Sequence, residues 1–425
     1  MAYKAPVRDL TFILNEVLEI DRYSNQSGFA EVSSDLVQQI LEEGAKFAEE
    51  VIAPLNKVGD QEGCKWDNGK VTGPTGWKEA YQQMVEAGWP GLSSDPAHGG
   101  QGMPAILGMA FGQFTAAASP AFSMYPGLTH GCYEALHANA SDELKAIYCP
   151  KLATGEWGGT MNLTEPQCGT DLGLIRTKAV PNGDGSYNIT GQKIWISSGE
   201  HDFTDNIIHL VLARIEGAPT GIKGISLFVV PKVFVNEDGS LGDRNEGVQC
   251  AGLEHKMGIH GNATCVMSYE NAKGWLVGTE NKGMAAMFVM MNEARLGTGL
   301  QGHSIGTAAY QERGIQGVAR DMATATRMRT KLLDAGEGYV TGIGVEVFEG
   351  RILLTGALLS EDMRAQAVSM AWKTDGVKDV LNEIQIGNSS LRDLATDSWI
   401  TTQLQSKITL DKNILAINYF IETVN

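Results

Sequence analysis

The chain has 425 residues, of which 43% are hydrophobic and 20% are charged, and its formal net charge is −17. This length is enough for several domains with a large core. The acidity argues against nucleic-acid binding and against attraction to anionic membranes, because both need a basic surface.

The cysteines and the N-terminal residues indicate the redox state and the compartment of the protein. The six cysteines form no C-x-x-C pair and no Cys/His cluster with zinc spacing, which predicts reduced thiols and no metal site. No apolar run follows Lys4, and no window approaches the ~18 apolar residues of a membrane span. We therefore expect a cytoplasmic protein without a signal peptide.

The first part of the chain has the apolar spacing of helices. We interpret residues 1–34 as an amphipathic N-terminal extension and residues 35–157 as an all-α domain. The pair Ser34-Asp35 is a candidate N-cap for its first helix. Further helical runs are Trp77–Ala87 and Ala105–Ala118. Between these runs, residues 91–102 are rich in glycine, which is more typical of a connection than of a phosphate-binding loop.

From about residue 158 the pattern changes to short β-rich runs, which predicts a β middle domain over residues 158–277. The runs are Val180–Ile189, Ile194–Ser197, Ile207–Ile215 and Ile225–Val230. Residues 278–311 return to helical spacing and carry a face of small residues, Gly297, Gly299, Gly302 and Gly306. Because each glycine costs ~1 kcal/mol in an isolated helix, we expect close packing against this face.

The order helix, hairpin, helix, strand predicts an independent αββαβ module over residues 312–388. Its expected elements after the first helix are the hairpin Val345–Phe348 with Arg351–Thr355, the helix Glu361–Trp372 and the strand Gly376–Ile386. Gly314 and Gly317 should interrupt any preceding helix and make residues 312–320 a linker.

The same module contains the start of an internal repeat. The pattern that begins at Asp321 recurs at Asp397, so residues 389–425 are interpreted as a partial second copy. The stretches Phe348–Gly356 and Gly376–Asn382 resemble BON domains. This resemblance implies contact with phospholipid or with a membrane surface.

Two segments of the middle domain, Thr164–Asp171 and Gly191–Gly199, are the most specific motifs in the chain. The first reads T-E-P-Q-C-G-T-D and the second reads G-Q-K-I-W-I-S-S-G. They resemble the paired flavin-contact strands of the acyl-CoA dehydrogenases. The resemblance extends over residues 1–311 and is strongest to the group that includes the 3-methylmercaptopropionyl-CoA dehydrogenases. It implies a multidomain α+β fold with an all-α N-terminal domain, a β-barrel middle domain and the first helix of a C-terminal helical domain.

The resemblance also implies FAD as the cofactor and α,β-dehydrogenation of a short acyl-CoA, with a methylthio-substituted acyl group as one candidate. This chemistry needs a flavin that accepts hydride, a carboxylate that takes the α-proton and donors that polarise the thioester. The implied flavin contacts are Met161, Leu163, Thr164, Thr170, Trp195, Ile196 and Ser197. The implied substrate contacts are Thr170, Asn292 and Arg295. Taken singly, each residue has a plain alternative, such as a core tryptophan, a turn-capping hydroxyl or a solvated arginine.

The catalytic base is not identified by the resemblance. Most family members carry it in a late helical Y-E-G-[TS] motif, which the sequence after residue 311 does not contain. A minority place it directly before the helix arginine, where this chain has Ala294. Glu293 is one position earlier, a rotation of ~100° around the helix, so we expect an exposed carboxylate and a weak candidate base. Further FAD contacts made across the family's dimer are also missing, which predicts weak FAD binding and impaired turnover.

Two functions of different classes follow from these observations. The first is an FAD-dependent acyl-CoA dehydrogenase with an unknown electron acceptor, homo-oligomeric if the family's interface is retained. The second is a non-catalytic protein that binds lipid or a partner through the BON-like region, with the flavin portion a remnant. A flavin absorbance peak in the purified protein would favour the first.

Overall fold

The structure is a computed structural model that describes residues 3–26, 28–236 and 238–387. The chain divides into two compact units, Met1–Gln311 and Glu312–Asn425. The predicted second repeat copy, residues 389–425, lies outside the described residues. Within the described segments, no helix combines the length and the apolarity needed to cross a bilayer.

The N-terminal part of the first unit is helical. Its α-helices are α1 Val7–Phe12, α2 Ser34–Phe47, α3 Ala53–Glu62, α4 Trp77–Glu86, α5 Ala105–Ala118, α6 Pro120–Asn139 and α7 Asp142–Ala153. A π-helical turn, Ala48–Ile52, joins α2 to α3. Apolar side chains of α2, α4, α5 and α6 form one core, in which Trp77, Phe122 and Tyr125 are buried. The helices expected around residues 77–87 and 105–118 are confirmed.

The cap of α2 differs from the prediction by one residue. Ser33 has the extended backbone of an N-cap, and its hydroxyl accepts a hydrogen bond from the Leu36 amide at 3.2 Å. Ser34 is already helical, so its hydroxyl cannot serve the first turn in this way.

The middle of the first unit is a β-barrel, as predicted. Among the described residues, its seven strands are β3 Gly158–Asn162, β4 Lys178–Pro181, β5 Ser186–Ser197, β6 Ile207–Ile215, β7 Ser226–Pro231, β10 Val248–Leu253 and β11 Thr264–Val277. In the described part of the first unit, two hairpins lie outside this sheet: β1 Lys65–Asp67 with β2 Lys70–Thr72, and β8 Val233–Val235 with β9 Leu241–Arg244. Strand β11 pairs with β5, β5 with β4, β4 with β6, β6 with β7, and β7 with β11, which closes the ring. Strands β10 and β3 extend the sheet beyond this ring, β10 beside β11 and β3 beside β6.

The long helix α8, Gly283–Ala335, corrects two expectations. It is interrupted only at Gly314, whose φ of 64° and ψ of 167° are not helical, while Gly317 lies within regular helix. The predicted linker over residues 312–320 is therefore reduced to one residue. The small-residue face is open rather than tightly packed, because a Cβ placed at any of its four positions would meet no atom of the described chain within 4 Å. These positions are Gly297, Gly299, Gly302 and Gly306.

The second unit has the predicted αββαβ order. After α8 it contains α9 Glu337–Val340, β12 Ile343–Phe348, β13 Arg351–Leu358, α10 Glu361–Trp372, β14 Asp379–Asn382 and β15 Gln385–Ile386. Strands β12 and β13 form the expected hairpin, and β14 and β15 run parallel to β13. The single strand expected over 376–386 is broken, because the Asn382 side chain accepts a hydrogen bond from the Ile384 amide at 3.2 Å.

The repeated aspartate has a structural role in the second unit. Asp321 accepts hydrogen bonds from the amides of Glu349 at 2.7 Å and Gly350 at 2.9 Å. It thereby holds the turn between β12 and β13 against α8. Its counterpart in the repeat, Asp397, lies outside the described residues.

Candidate functional site

Strand β5 presents Trp195 through a β-bulge. Ile196 lies opposite Cys265 and Lys193 lies opposite Met267, so two residues of β5 face one residue of β11. Trp195 has a φ of 61°, a left-handed conformation that costs a bulky residue on the order of 1 kcal/mol. Its side chain is nevertheless 48% exposed, with the Lys256 ammonium 5.2 Å from the ring centroid. A bulge that holds a large aromatic ring outside the core under strain is typical of a binding surface.

A buried ion pair fixes the backbone beside Trp195. The Lys193 ammonium is fully buried and lies 2.9 Å from Glu165 Oε1, and it also donates to the Leu163 carbonyl at 3.0 Å. The Ile194 amide donates to the Thr164 carbonyl at 2.9 Å. Residues 163–165 and 193–197 are thus joined into one surface, which we call the Trp195 wall.

Glu165 is held ionised inside this wall. Its carboxylate accepts hydrogen bonds from the Arg176 amide at 2.6 Å and from the Thr177 amide and hydroxyl at 3.0 and 2.6 Å. Burial by itself would raise the pKa of Glu165, but the Lys193 charge and these donors lower it to about 2. Burial also lowers the pKa of Lys193, against the opposing attraction of Glu165.

The predicted flavin contacts differ in how exposed their side chains are in the structure. Four of them, Met161, Leu163, Thr164 and Ser197, are half-buried on or next to the wall, and Thr170 is exposed beyond the turn that follows Glu165. The Ile196 side chain is only 2% exposed and packs in the barrel core, so this residue offers its backbone alone.

Helix α6 connects the wall to the helical core. Near its start, the Tyr125 hydroxyl donates to the Gly261 carbonyl at 3.2 Å and accepts from the Ala263 amide at 3.1 Å. Asn262 between them donates to the Ser198 hydroxyl at 3.1 Å, directly after the wall. One turn later, the Thr129 hydroxyl accepts from the Gly159 amide of β3 at 3.1 Å. The opposite face of α6 is therefore held at a fixed position next to the barrel.

That opposite face lines a cavity of about 550 Å³. The lining of this helical cavity is mainly apolar, and it comes from α4, the segment after α4, α5, α6 and α8. The residues that line it include Met84, Met109, Gly127, His130, Glu134, Asn292, Glu293 and Gly297. Its size and lining are typical of a site for a small organic ligand.

Glu293 does not have the exposed position expected of it. It lines the helical cavity, and its Oε1 lies 3.2 Å from His130 Nε2. Its Oε2 is buried and has no hydrogen-bond partner among the described residues. Burial raises the pKa of Glu293, nearby Glu134 raises it further, and His130 opposes both. The exposure argument failed because α6 covers this side of α8: a Cβ at Gly131 would lie 3.4 Å from Glu293 Oε2.

The two predicted substrate contacts on α8 point in different directions. Asn292 lines the helical cavity, whereas Arg295 is exposed and does not line it. The Arg295 guanidinium donates to Asn292 Oδ1 at 2.9 Å and lies 5.2 Å from the Phe288 ring centroid. Arg295 is therefore placed at the rim, where a polar portion of a ligand could reach it.

Sequence reasoning missed His130, Glu134 and the glycines of the cavity. His130 and Glu134 are four residues apart on α6 and 3.9 Å apart in space. Their i,i+4 spacing was the available signal, but such pairs are common on exposed helix faces. Only the packing of α6 against α8 shows that they face a cavity.

Family models match three parts of the chain. The acyl-CoA dehydrogenase N-terminal domain matches residues 34–156, the acyl-CoA dehydrogenase middle domain matches residues 160–272, and the BON domain matches residues 320–388. The chain is 43% identical over 369 residues to a 3-methylmercaptopropionyl-CoA dehydrogenase of Ruegeria pomeroyi, covering 87% of this chain and 61% of that protein. It is 40% identical over 327 residues to a butyryl-CoA dehydrogenase of Syntrophomonas wolfei, covering 72% and 52%.

A solved structure supports the same fold. The butyryl-CoA dehydrogenase of Megasphaera elsdenii superposes with a TM-score of 0.56 at 22% identity, over 72% of this chain and 79% of that one. The chain spans between half and two thirds of the length of the two curated relatives. The chain thus belongs to the acyl-CoA dehydrogenase family through its N-terminal and middle domains, and it carries a BON domain after them.

Proposed function

We propose that the chain takes part in FAD-dependent α,β-dehydrogenation of a short acyl-CoA. The observation that carries the proposal is Trp195, a strained and half-exposed indole held in place by a buried ion pair. The helical cavity provides a second site for an organic ligand, and α6 fixes its position next to the barrel.

The Trp195 wall suits an isoalloxazine ring. Trp195 would pack on the ring face, while the hydroxyls of Thr164 and Ser197 and the backbone at Leu163 would hydrogen-bond to the polar ring edge. When bound, FAD supplies the acceptor for the hydride that leaves the β-carbon. The rigid Glu165–Lys193 anchor keeps these groups in position without rearrangement on binding.

The helical cavity suits the acyl group. Its apolar lining would take an alkyl chain out of water, at roughly 25 cal/mol per Å² of buried surface. Met84 and Met109 line it, and their flexible, polarisable thioethers adapt to irregular groups, which supports a methylthio-substituted acyl chain. Asn292 and Arg295 would contact the polar portion of the substrate at the rim.

Glu293 is the candidate for removing the α-proton. A carboxylate with a raised pKa is better matched to a weakly acidic C–H than an ordinary surface carboxylate. Its contact with His130 orients one oxygen and leaves the other free to accept a proton. Glu293→Gln should therefore lower acyl-CoA-dependent reduction of an artificial acceptor by about 10²–10⁴-fold if Glu293 is the base. Unchanged turnover would remove it from the mechanism.

The cofactor assignment is tested with Trp195→Gly. Glycine tolerates the left-handed backbone, so the free energy of unfolding should stay within about 1 kcal/mol of the wild type or rise. FAD affinity, measured by quenching of flavin fluorescence, should fall at least tenfold because the packing surface is lost. Equal FAD affinity in the two proteins, with the fold intact, would contradict the assignment.

The substrate assignment is tested with two glycines of α8. Gly297 lines the helical cavity and Gly302 does not, and a Cβ at either position meets no atom within 4 Å. Leucine at either site should raise helix stability by similar amounts, on the order of 1 kcal/mol. Only Gly297→Leu should weaken binding of butyryl-CoA and of methylthiopropionyl-CoA, measured by calorimetry. Equal binding by both variants would place the acyl group elsewhere.

A second function is favoured by the surface of the second unit. Among the described residues of this unit, five large apolar side chains are more than half exposed: Met322, Leu333, Leu359, Trp372 and Leu381. Such residues suit binding to lipid or to a protein partner. Trp372→Gln should then reduce cosedimentation with phospholipid vesicles, whereas Met257→Gln, which removes an exposed methionine of the first unit, should not. Vesicle binding unaffected by Trp372→Gln would contradict a lipid role for this surface.

The assembly of the chain also remains a prediction. The open small-residue face of α8 supports association of the first unit into a homo-oligomer. Light scattering of the purified chain tests this. A monomer at all concentrations would contradict it.

A further inference from the structure

A cluster of one carboxylate and two imidazoles lies outside the site described above. Asp95 and His98 belong to the segment after α4, and His137 lies near the end of α6. One possible ligand atom from each residue lies within 4.8 Å of the others, and Asp95 Oδ2 is 3.6 Å from His137 Nε2. The sequence predicted no metal site, because these residues do not have zinc-finger spacing and only the fold brings them together.

The cluster is organised by neighbouring groups. Asp95 Oδ1 accepts a hydrogen bond from the Ala97 amide at 2.8 Å, which leaves Oδ2 directed towards His137. The Tyr133 hydroxyl accepts from the Asp95 amide at 3.0 Å and lies 3.3 Å from His98 Nδ1. The Tyr133 ring stacks on His137, with centroids 5.4 Å apart and planes at 18°. Buried Tyr133 thus fixes all three residues relative to one another.

We propose that Asp95, His98 and His137 bind one divalent ion of the zinc class. Two imidazoles and one carboxylate are ligands that Zn²⁺ prefers, and three protein ligands leave a fourth position for water. Ligand atoms on a tetrahedral Zn²⁺, each ~2.0–2.1 Å from the metal, are about 3.3 Å apart. The 3.6 Å between Asp95 Oδ2 and His137 Nε2 is near this value, so these two atoms need little adjustment to share an ion.

The surroundings of the cluster set how tightly the ion binds. All three side chains are half-buried, which gives the ion access from solvent and partly excludes water. We therefore expect binding weaker than in a four-ligand structural zinc site.

The ion would connect the segment after α4 to α6. Leu92 and Ser93 of the same segment line the helical cavity, as do His130 and Glu134 on α6. A metal at Asp95, His98 and His137 would therefore stabilise one side of the helical cavity. This inference does not depend on the proposed dehydrogenase function, since metal binding is measured without FAD or substrate.

The test is zinc binding to the full chain after removal of metal with a chelator and without affinity-tag histidines. Calorimetry should give one Zn²⁺ per chain, and His137→Gln or Asp95→Asn should weaken binding at least tenfold. Cobalt(II) in place of zinc should give the intense visible bands of four-coordinate cobalt, and His137→Gln should remove them. Circular dichroism of each variant checks that the fold is intact.

His130→Gln is the matched control, because it removes an imidazole two helical turns away that also faces carboxylates. It should leave zinc affinity and the cobalt bands unchanged. Stoichiometric binding that is lost in His130→Gln and kept in His137→Gln would move the site to the helical cavity and overturn the proposal. Failure of folded wild-type protein to bind zinc would overturn it directly.

Discussion

The Trp195 wall and the helical cavity belong to the same unit, but they are stabilised in opposite ways. The wall depends on a buried charge pair, in which Glu165 accepts several hydrogen bonds and the Lys193 ammonium donates to two oxygen atoms. The cavity depends on apolar helix packing. Its pairing of His130 with Glu293 leaves one carboxylate oxygen of Glu293 unpaired within the described residues. A cofactor site held throughout the catalytic cycle benefits from rigid anchoring, whereas a site that admits and releases substrate needs unoccupied volume. The difference predicts that the two regions respond differently to mutation and to pH.

The largest effect should come from breaking the ion pair of the wall. Lys193→Met leaves Glu165 buried without its counter-charge, which typically costs about 3–5 kcal/mol. Lys178→Met is the control, because Lys178 is exposed on β4 and should change stability by less than about 0.5 kcal/mol. Urea denaturation followed by tryptophan fluorescence measures both. A loss below about 1 kcal/mol in Lys193→Met would show that the wall does not depend on this pair.

A second effect concerns acid sensitivity inside the barrel, at buried His209. Burial, helped by the charge of Lys232, lowers the pKa of His209 to about 3, well below its ordinary value of 6.5. Between these values the unfolded chain binds a proton that the folded chain does not, so stability should fall as the pH drops below 6.5. His209→Gln should lose some stability at pH 7, through its contact with the Thr160 hydroxyl, but should show a shallower decline towards acid. Acid unfolding curves measure this, with exposed His255→Gln as the control. An unchanged slope in His209→Gln would contradict the assignment.

The sequence predicted the wall better than the cavity, for a physical reason. The wall is formed by two local motifs whose residues lie within a few positions of Thr164 and Trp195, and strand pairing brings the motifs together. The left-handed backbone at Trp195 and the pairing of Glu165 with Lys193 were not predicted, because both depend on the bulge between β5 and β11. The cavity is lined by residues from five separate parts of the chain. Its polar member Glu293 was assigned to solvent because a single helix gives no information about the helix that covers it.

Local sequence patterns also limit how well the helices and strands could be predicted. Strands β6 and β7 and helix α10 follow from the local apolar period, and the structure reproduces their predicted bounds to within one residue. Strands β3, β10 and β11 were not predicted individually. Gly317 and the glycine face of α8 show where that reasoning fails. A helix tolerates glycine at a cost of ~1 kcal/mol, so neither a break nor a packed neighbour is required.

The smallest predicted effect is a pH dependence of opposite sign in the helical cavity. Burial raises the pKa of Glu293 above its ordinary value of 4.5, so the folded chain holds a proton that the unfolded chain releases as the pH rises past 4.5. Above pH 4.5, ionisation of Glu293 therefore lowers the stability of the folded chain. At lower pH the carboxyl is protonated and this loss of stability disappears. Because the side chain is 35% exposed, this loss of stability should stay below about 1 kcal/mol.

Glu293→Gln should gain stability relative to the wild type as the pH increases from 4.5, as measured by urea denaturation at several pH values. Glu156→Gln, a substitution at an exposed carboxylate outside the cavity, should show no such trend. A relative stability of Glu293→Gln that is flat or that falls with pH would mean that the cavity does not raise the pKa of this carboxyl, and it would weaken the case for Glu293 as the base.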